Sequence, residues 1–413
     1  MLRESLFLRC PRGWTAIMVG GALLGLSACS VSSESVPEPD PRYRVATGEF
    51  HGPPVPPIIL SPATLPPEPD PIRDPVAAAR ANLPTTQRGL VASLMTVGVR
   101  DYDDALFALE QGAGGIFIGS WTDPALLTGA DRNIAELRRA VDRPFAVSID
   151  AEGGRVVRQP DIFGNLPAPR TMAETMTPEQ VRALAAELGA KLAGAGITVD
   201  FAPVLDTTGE PAGAAIGDRS FSPDPERAAQ YASAFAAGLR DAGITPVFKH
   251  FPGHGRATGD SHYDQVLTPG VDQLRELDLK PYGPALDSSP GAVMIGHMIV
   301  PGLGEEGLPA TLNPAVYELL RSGDYPGGKP FNGVIYTDDL SGMEAVNSRM
   351  NAPQAVLAAL RAGADVALWI STDDLVAAVD AVDRAVSEGG FPVEQLEASA
   401  LRVQVQNLGP LPG

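Results

Sequence analysis

The chain has 413 residues, of which 44% are hydrophobic, so it can bury the core of one large domain or of two ordinary ones. Its net charge of −19 argues against a nucleic-acid partner, whose phosphates need a basic surface, and disfavours a polybasic contact with a membrane. Acidity otherwise speaks for solubility and not for chemistry.

The N-terminus reads as a targeting segment. Arg3, Arg9 and Arg12 form a basic start, and Trp14 to Ala28 is an apolar run too short to span a bilayer, which takes roughly 20 residues. The run ends in "LSAC", so Cys29 stands where cleavage is expected. This segment resembles a bacterial lipobox, which implies a lipidated Cys29 as the first mature residue, exported and anchored on the cell-wall side of the cytoplasmic membrane. The other cysteine, Cys10, would leave with residues 1–28, and no disulfide would remain. Residues 29–80 are rich in Pro, Ser and acids without periodicity, which predicts an extended tether. Folded sequence is expected to begin near Val76 to Ala81, with the domain placed over 81–413.

Within that domain, short β-rich runs alternate with helical patterns. The runs are Val91–Val97, Gly115–Gly119, Phe145–Ile149, Ile197–Ala202, Pro246–Lys249, Ala292–Ile295, Gly333–Thr337 and Asp365–Ile370. Thr177 and Gln180 predict a capping box, with Pro178 at the first helical position. Val181, Leu184, Ala185, Leu188 and Leu192 then repeat at helical spacing. Tyr231, Phe235 and Leu239 do the same in the next helical segment. About eight such strand–helix units predict an α/β protein with a (β/α)8 barrel. A doubly wound open sheet is the alternative, but no glycine-rich dinucleotide fingerprint follows the first strand.

Barrel enzymes carry their chemistry at the C-terminal ends of the strands, and polar residues cluster there. The third run leads into "SIDAEGGRVVR", with Asp150, Glu152, Arg155 and Arg158. The fourth leads into "FAPVLD" with Asp206, and "IGDRSF" with Arg219 lies beyond. The fifth enters "KHFPGHGRATGDSHYD", which holds three of the five histidines of the chain, His250, His254 and His262. The sixth ends at His297, and the seventh in "TDDL" with Asp338 and Asp339.

Together, "DAEGGRVVR", "FAPVLD", "IGDRSF", "KHFPGHG…DSH" and "TDDL" resemble, in order, the motifs of family 3 glycoside hydrolases in their single-domain β-N-acetylhexosaminidase branch. The likeness runs from about Leu90 to about Ile370. It implies hydrolysis of terminal β-linked N-acetylglucosamine from peptidoglycan fragments or related glycans. Asp338 would be the nucleophile, with Asp339 its competitor. His262, paired with Asp260, would be the acid/base, and an imidazole titrating near neutrality suits that work. Asp150, Arg158, Arg219, Lys249 and His250 would hold the sugar. His254 would fix the loop, and Glu152 and Arg155 would be scaffold. Asp206 either lines the pocket or closes a strand, and His297 is either a pocket wall or a satisfied core histidine.

Two details depart from the family pattern. The proline expected soon after "DSH" is delayed to Pro269, and "TDDLSGME" is a residue longer before Met343. The expected partners are a carbohydrate substrate and a membrane reached only through the lipid anchor. No cofactor is implied, and no metal, because the carboxylates are spread over separate strand ends and no His/Cys spacing suits zinc. The rival readings are a phosphorylase on the same scaffold, a β-glucosidase-type activity, and a sugar-binding lipoprotein without catalysis.

Overall fold

Eight parallel strands form one sheet: β1 (Met95–Val99), β2 (Gly115–Ile118), β3 (Ala146–Ile149), β4 (Val199–Asp200), β5 (Thr245–Phe251), β6 (Ala292–Ile295), β7 (Ile335–Thr337) and β8 (Ala367–Trp369). The computed structural model describes residues 74–258, 266–341 and 350–409, all within the compact unit Glu68–Gly413. Neighbours in the sheet run β8-β1-β2-β3-β4-β5-β6-β7. Val97 pairs with Trp369 on one side and with Ile116 on the other. The ends of this order meet: Tyr336 bridges Val366 in parallel, and Thr337 N–H donates to the Val366 carbonyl at 3.0 Å. The sheet therefore closes into a (β/α)8 barrel.

Closure leaves strands covered on both sides, which explains why they read as nearly continuous apolar runs. Helices form the outer ring. Pro178–Gly194 starts at the capping box of Thr177 and Gln180 and buries Val181, Ala185, Leu188 and Leu192, while Leu184 is half-buried. Burying one such Leu or Val side chain contributes about 1.5–3 kcal/mol. Pro225–Asp241 follows with Tyr231, Phe235 and Leu239 inward.

Two boundaries differ from the sequence reading. The fold begins before residue 81, with a helix over Pro75–Ala81 that buries Ala79. Asp74 caps this helix and Pro75 opens it, a use of proline that composition does not distinguish from a tether. The first strand starts at Met95, because Val91 and Ala92 end a helix, Gln87–Ala92, capped by Thr86. Helix end and strand are both buried there, so no polar alternation marks the change.

At the C-terminal end of the barrel, one layer of side chains comes from the even strands. Phe117 on β2, Phe201 just after β4, Met294 on β6 and Leu368 on β8 form it. This is the alternate-strand layering of (β/α)8 barrels. Phe117 stacks on Phe201 at 5.7 Å between centroids, and Phe201 meets Tyr336 edge-on at 5.3 Å. The layer closes the barrel and becomes the floor of the pocket above it.

Candidate active site

A pocket of about 510 Å³ opens above that floor. Six of the eight residues expected to carry catalysis or sugar binding line it: Asp150, Arg158, Arg219, Lys249, His250 and Asp338. The other two, Asp260 and His262, lie outside the described residues, as does Cys29.

Each side chain arrives by a traceable route. After β3 the chain turns back through a hairpin of Ala151–Gly153 and Val156–Val157. Its tight turn uses Gly153 at φ +107° and Gly154 at φ +58°, conformations that favour glycine. The hairpin sets Asp150, Glu152 and Arg158 at one strand end. β5 supplies Lys249 and His250, joined by a cis peptide bond. Asp338 directly follows β7.

Glu152 is the hub, although it was read as scaffold from sequence alone. Its side chain is fully buried and accepts two hydrogen bonds from Arg219 at 2.8 Å each. Lys249 Nζ stands 2.6 Å from Glu152 and donates to Asp150 Oδ1 at 2.8 Å. Arg158 reaches Asp150 Oδ2 at 3.4 Å. Burial alone would raise the Glu152 pKa, but Arg219 and Lys249 hold it well below the usual carboxylate range. Burial likewise disfavours the Lys249 ammonium, and Asp150 and Glu152 outweigh it, so its pKa is raised. Arg155 also lines the pocket but has other partners. It pairs with Asp218 and donates to the carbonyls of Ala212, Ala214, Ala215 and Ile216, which ties down the loop beside the pocket.

Removing the hub leaves two buried cations with fewer partners. Glu152→Gln is expected to lower the unfolding free energy by about 3 kcal/mol or more, the usual cost of breaking a buried pair. Urea titration of both proteins measures it, and a loss under about 1 kcal/mol would refute the hub.

Asp206 neither lines the pocket nor merely closes a strand. It is fully buried and accepts from His250 Nδ1 at 2.6 Å and from the backbone N–H of His254 at 2.6 Å. A carboxylate only accepts, so Nδ1 carries the hydrogen and Nε2 faces Arg219 Nη2 at 3.3 Å. Burial raises the Asp206 pKa, and the interactions with His250 and His254 more than reverse it. The residue thus orients one histidine of the pocket and anchors the glycine-rich loop after β5.

His297 is fully buried below the pocket wall. Nδ1 lies 2.7 Å from Thr311 Oγ1 and Nε2 2.8 Å from the Asp339 carbonyl. It is a satisfied core histidine whose bonds fix the backbone beside Asp338. Burial lowers its pKa.

The two carboxylates of "TDDL" have different environments. Asp338 Oδ1 accepts the N–H of Asp339 at 2.9 Å. Burial pushes its pKa up, but His250, His297, that N–H and Lys249 prevail and hold it at about 2. Asp339 turns to Ser341, accepting its N–H and hydroxyl at 2.8 Å each, and burial raises its pKa. Of these two, Asp338 is therefore the one held firmly ionised in the pocket.

Sequence reading gave no role to Asp200, at the end of β4. It is fully buried, accepts the Ala151 N–H at 2.9 Å, and has its Oδ2 buried without a hydrogen bond. Burial pushes its pKa up to about 8, beyond what the Ala151 N–H offsets, so it carries a proton at neutral pH. Trp121 and Ile370, at the pocket rim, were also missed. Among the described residues, no group of His, Cys, Asp or Glu is placed to hold a metal ion.

Comparison with known proteins matches this architecture. A family model described as "Glycosyl hydrolase family 3 N terminal domain" matches residues 90–405. The beta-hexosaminidase LpqI of Mycobacterium tuberculosis is 46% identical over 330 residues, covering 79% of this chain and 84% of that protein. The crystal structure of a glycosyl hydrolase of the GH3 family from Mycobacterium smegmatis superposes with a TM-score of 0.76 at 47% identity, over 79% of this chain and 98% of that one. A glycoside hydrolase family 3 beta-N-acetylglucosaminidase from Paenibacillus superposes with a TM-score of 0.72 at 30% identity, over 79% of this chain and 62% of that one. With its closed barrel, its donor-lined pocket and these matches, the chain belongs to glycosyl hydrolase family 3 and is a glycoside hydrolase.

Proposed function

We propose that this glycoside hydrolase is a retaining β-N-acetylhexosaminidase that removes terminal β-linked N-acetylglucosamine from peptidoglycan fragments or related glycans. The observation that carries the reading is the pocket itself: an ionised Asp338 shares it with Asp150, Arg158, Arg219, Lys249 and His250 over an apolar floor. The names of the relatives from Mycobacterium tuberculosis and Paenibacillus support the choice of sugar.

In the proposed reaction, Asp338 attacks the anomeric carbon as the bond to the leaving oxygen breaks. The imidazolium of His262 gives that oxygen its proton. Water then enters, His262 takes its proton, and the hydroxide attacks the anomeric carbon to free Asp338. Two inversions leave the β configuration unchanged. Asp260 holds one imidazole nitrogen and stabilises the charged ring, as a triad aspartate does. Lys249 and the arginines donate to sugar hydroxyls and Asp150 accepts from them, with Glu152 and Asp206 keeping their partners in register.

Hydrolysis of 4-nitrophenyl N-acetyl-β-glucosaminide against the plain β-glucoside tests this reading. The first is expected to have a kcat/KM at least about tenfold higher, the value of one well-made polar contact to the acetamido group. Equal or better turnover of the glucoside refutes it.

We also propose export and lipidation at Cys29, supported by the basic start, the apolar run and "LSAC". Mass spectrometry of the native N-terminal peptide is expected to show a diacylglyceryl Cys29 as the first residue. An unmodified Cys29 refutes it.

A further inference from the structure

The pocket has two unlike zones. At depth, the side chains of Lys249 and Asp150 are only 3% and 15% exposed. At the rim, Trp121 is 44% exposed and Ile370 is 36% exposed, although both are large and apolar. Exposed side chains of this kind are informative when they adjoin a binding site.

The rim position of Trp121 is built. Its indole lies against the backbone of Gly119, where an added Cβ would sit 2.5 Å from three ring atoms. Phe117 of the pocket floor backs it at 6.0 Å between centroids. The following residue is fixed too, since Thr122 Oγ1 donates to the Val99 carbonyl at 2.6 Å and accepts the Gly119 N–H at 3.0 Å. Ile370 is tied to the segment that carries the nucleophile, because its N–H donates to Ser341 Oγ at 3.3 Å. Trp121 and Ile370 also line a second recess of about 210 Å³ beyond the rim, with Arg100, Ser371 and Asp373.

An enzyme that removes a terminal sugar from a pocket holds that sugar at depth, and the leaving group projects past the rim. A pyranose ring has two faces rich in C–H groups and an edge of hydroxyls. The faces match an indole and a branched alkyl side chain, and the hydroxyls match a recess holding a guanidinium, a hydroxyl and a carboxylate. We propose that Trp121 and Ile370 form the platform on which the first sugar ring of the leaving group stacks, with its hydroxyls turned to the recess of Arg100, Ser371 and Asp373. The proposal rests on the reading of the deep pocket as the N-acetylglucosamine site. It makes the enzyme selective for a glycan as leaving group and not only for the sugar removed.

Two substrates separate the zones. N,N′-diacetylchitobiose has a pyranose leaving group, and N-acetyl-β-glucosaminyl fluoride has none. Trp121→Ala is expected to lower kcat/KM for the disaccharide about tenfold, the upper range for an aromatic contact. It should leave the fluoride, and inhibition by free N-acetylglucosamine, within about twofold of wild type. Trp121→Phe should restore most of the loss. Gly119→Ala, which keeps the indole but pushes it off its seat, should reproduce part of it. An equal fall on both substrates with weaker inhibition places Trp121 against the first sugar and overturns the proposal, and so does no change on either. A wild-type protein that turns over neither substrate overturns the proposed activity itself, a result distinct from both.

Discussion

Asp338→Ala is expected to abolish turnover of every glycoside, activated or not, with a fall in kcat of about 10⁴-fold or more, as when other covalent nucleophiles are removed. The loss should not depend on the leaving group, because Asp150 and Glu152, which share the pocket, are engaged by Lys249 and by Arg158 and Arg219. Asp339 is a poorer substitute, since its Oδ1 accepts both the Ser341 N–H and hydroxyl and burial raises its pKa. Sodium azide gives a second readout. In the alanine variant an azide ion can take the place of the missing carboxylate and attack the face opposite the leaving group, so the product should be the α-glycosyl azide. The pH profile carries the same assignment. Held at about 2, Asp338 stays ionised above about pH 3. Activity lost as pH falls from neutrality toward about pH 4 therefore belongs to another group. The limb lost as pH rises belongs to the acid, which must be protonated to act. Residual turnover in Asp338→Ala above about 1% of wild type would move the nucleophile elsewhere.

Much of this site was legible in the sequence because barrel geometry converts order along the chain into position. A residue just after a strand lies at the mouth, so Asp150, Asp338 and the Lys249–His250 pair could be placed there from their strands alone. What one residue does to another across the barrel could not be read the same way. The bond from His250 Nδ1 to Asp206 and the two bonds from Arg219 to Glu152 join residues on or after different strands, 44 and 67 residues apart in sequence. Nothing in local pattern specifies such a partner. Trp121 was silent for another reason: a tryptophan after a buried strand reads as core until its exposure and its seat on Gly119 are seen. The boundary errors at Pro75 and Val91 share a cause. Both lie where a capping residue, Asp74 or Thr86, starts a short helix inside a segment whose composition points to something else.

The last expected result concerns the acid/base, which the family resemblance implies is His262 with Asp260. His262→Ala should separate substrates by their leaving groups. An aryl oxide of low pKa departs with little help, so formation of the glycosyl-Asp338 intermediate should survive better with 4-nitrophenyl N-acetyl-β-glucosaminide than with N,N′-diacetylchitobiose. Loss of a positioned acid or base costs about 10²–10⁴-fold, and the disaccharide should show that full loss. The aryl substrate should instead show a burst of 4-nitrophenol and then slow turnover, because water attacking the intermediate still lacks its base. Azide, which needs no deprotonation, should speed that second step and yield the β-glycosyl azide, the opposite anomer from Asp338→Ala. Asp260→Ala should give a milder form of the pattern, since the imidazole remains but loses the carboxylate that orients it. Running the wild-type reaction with inorganic phosphate separates hydrolysis from phosphorolysis: free N-acetylglucosamine is the expected product, and its 1-phosphate would mark the transferase. Equal damage to both substrates without a burst would remove His262 from the mechanism. The donor would then be sought among the strand-end carboxylic acids that carry a proton at neutral pH. Asp200 meets that condition, with its pKa pushed up to about 8, whereas Glu152 is held ionised by Arg219 and Lys249. Asp200, however, is fully buried and does not line the pocket.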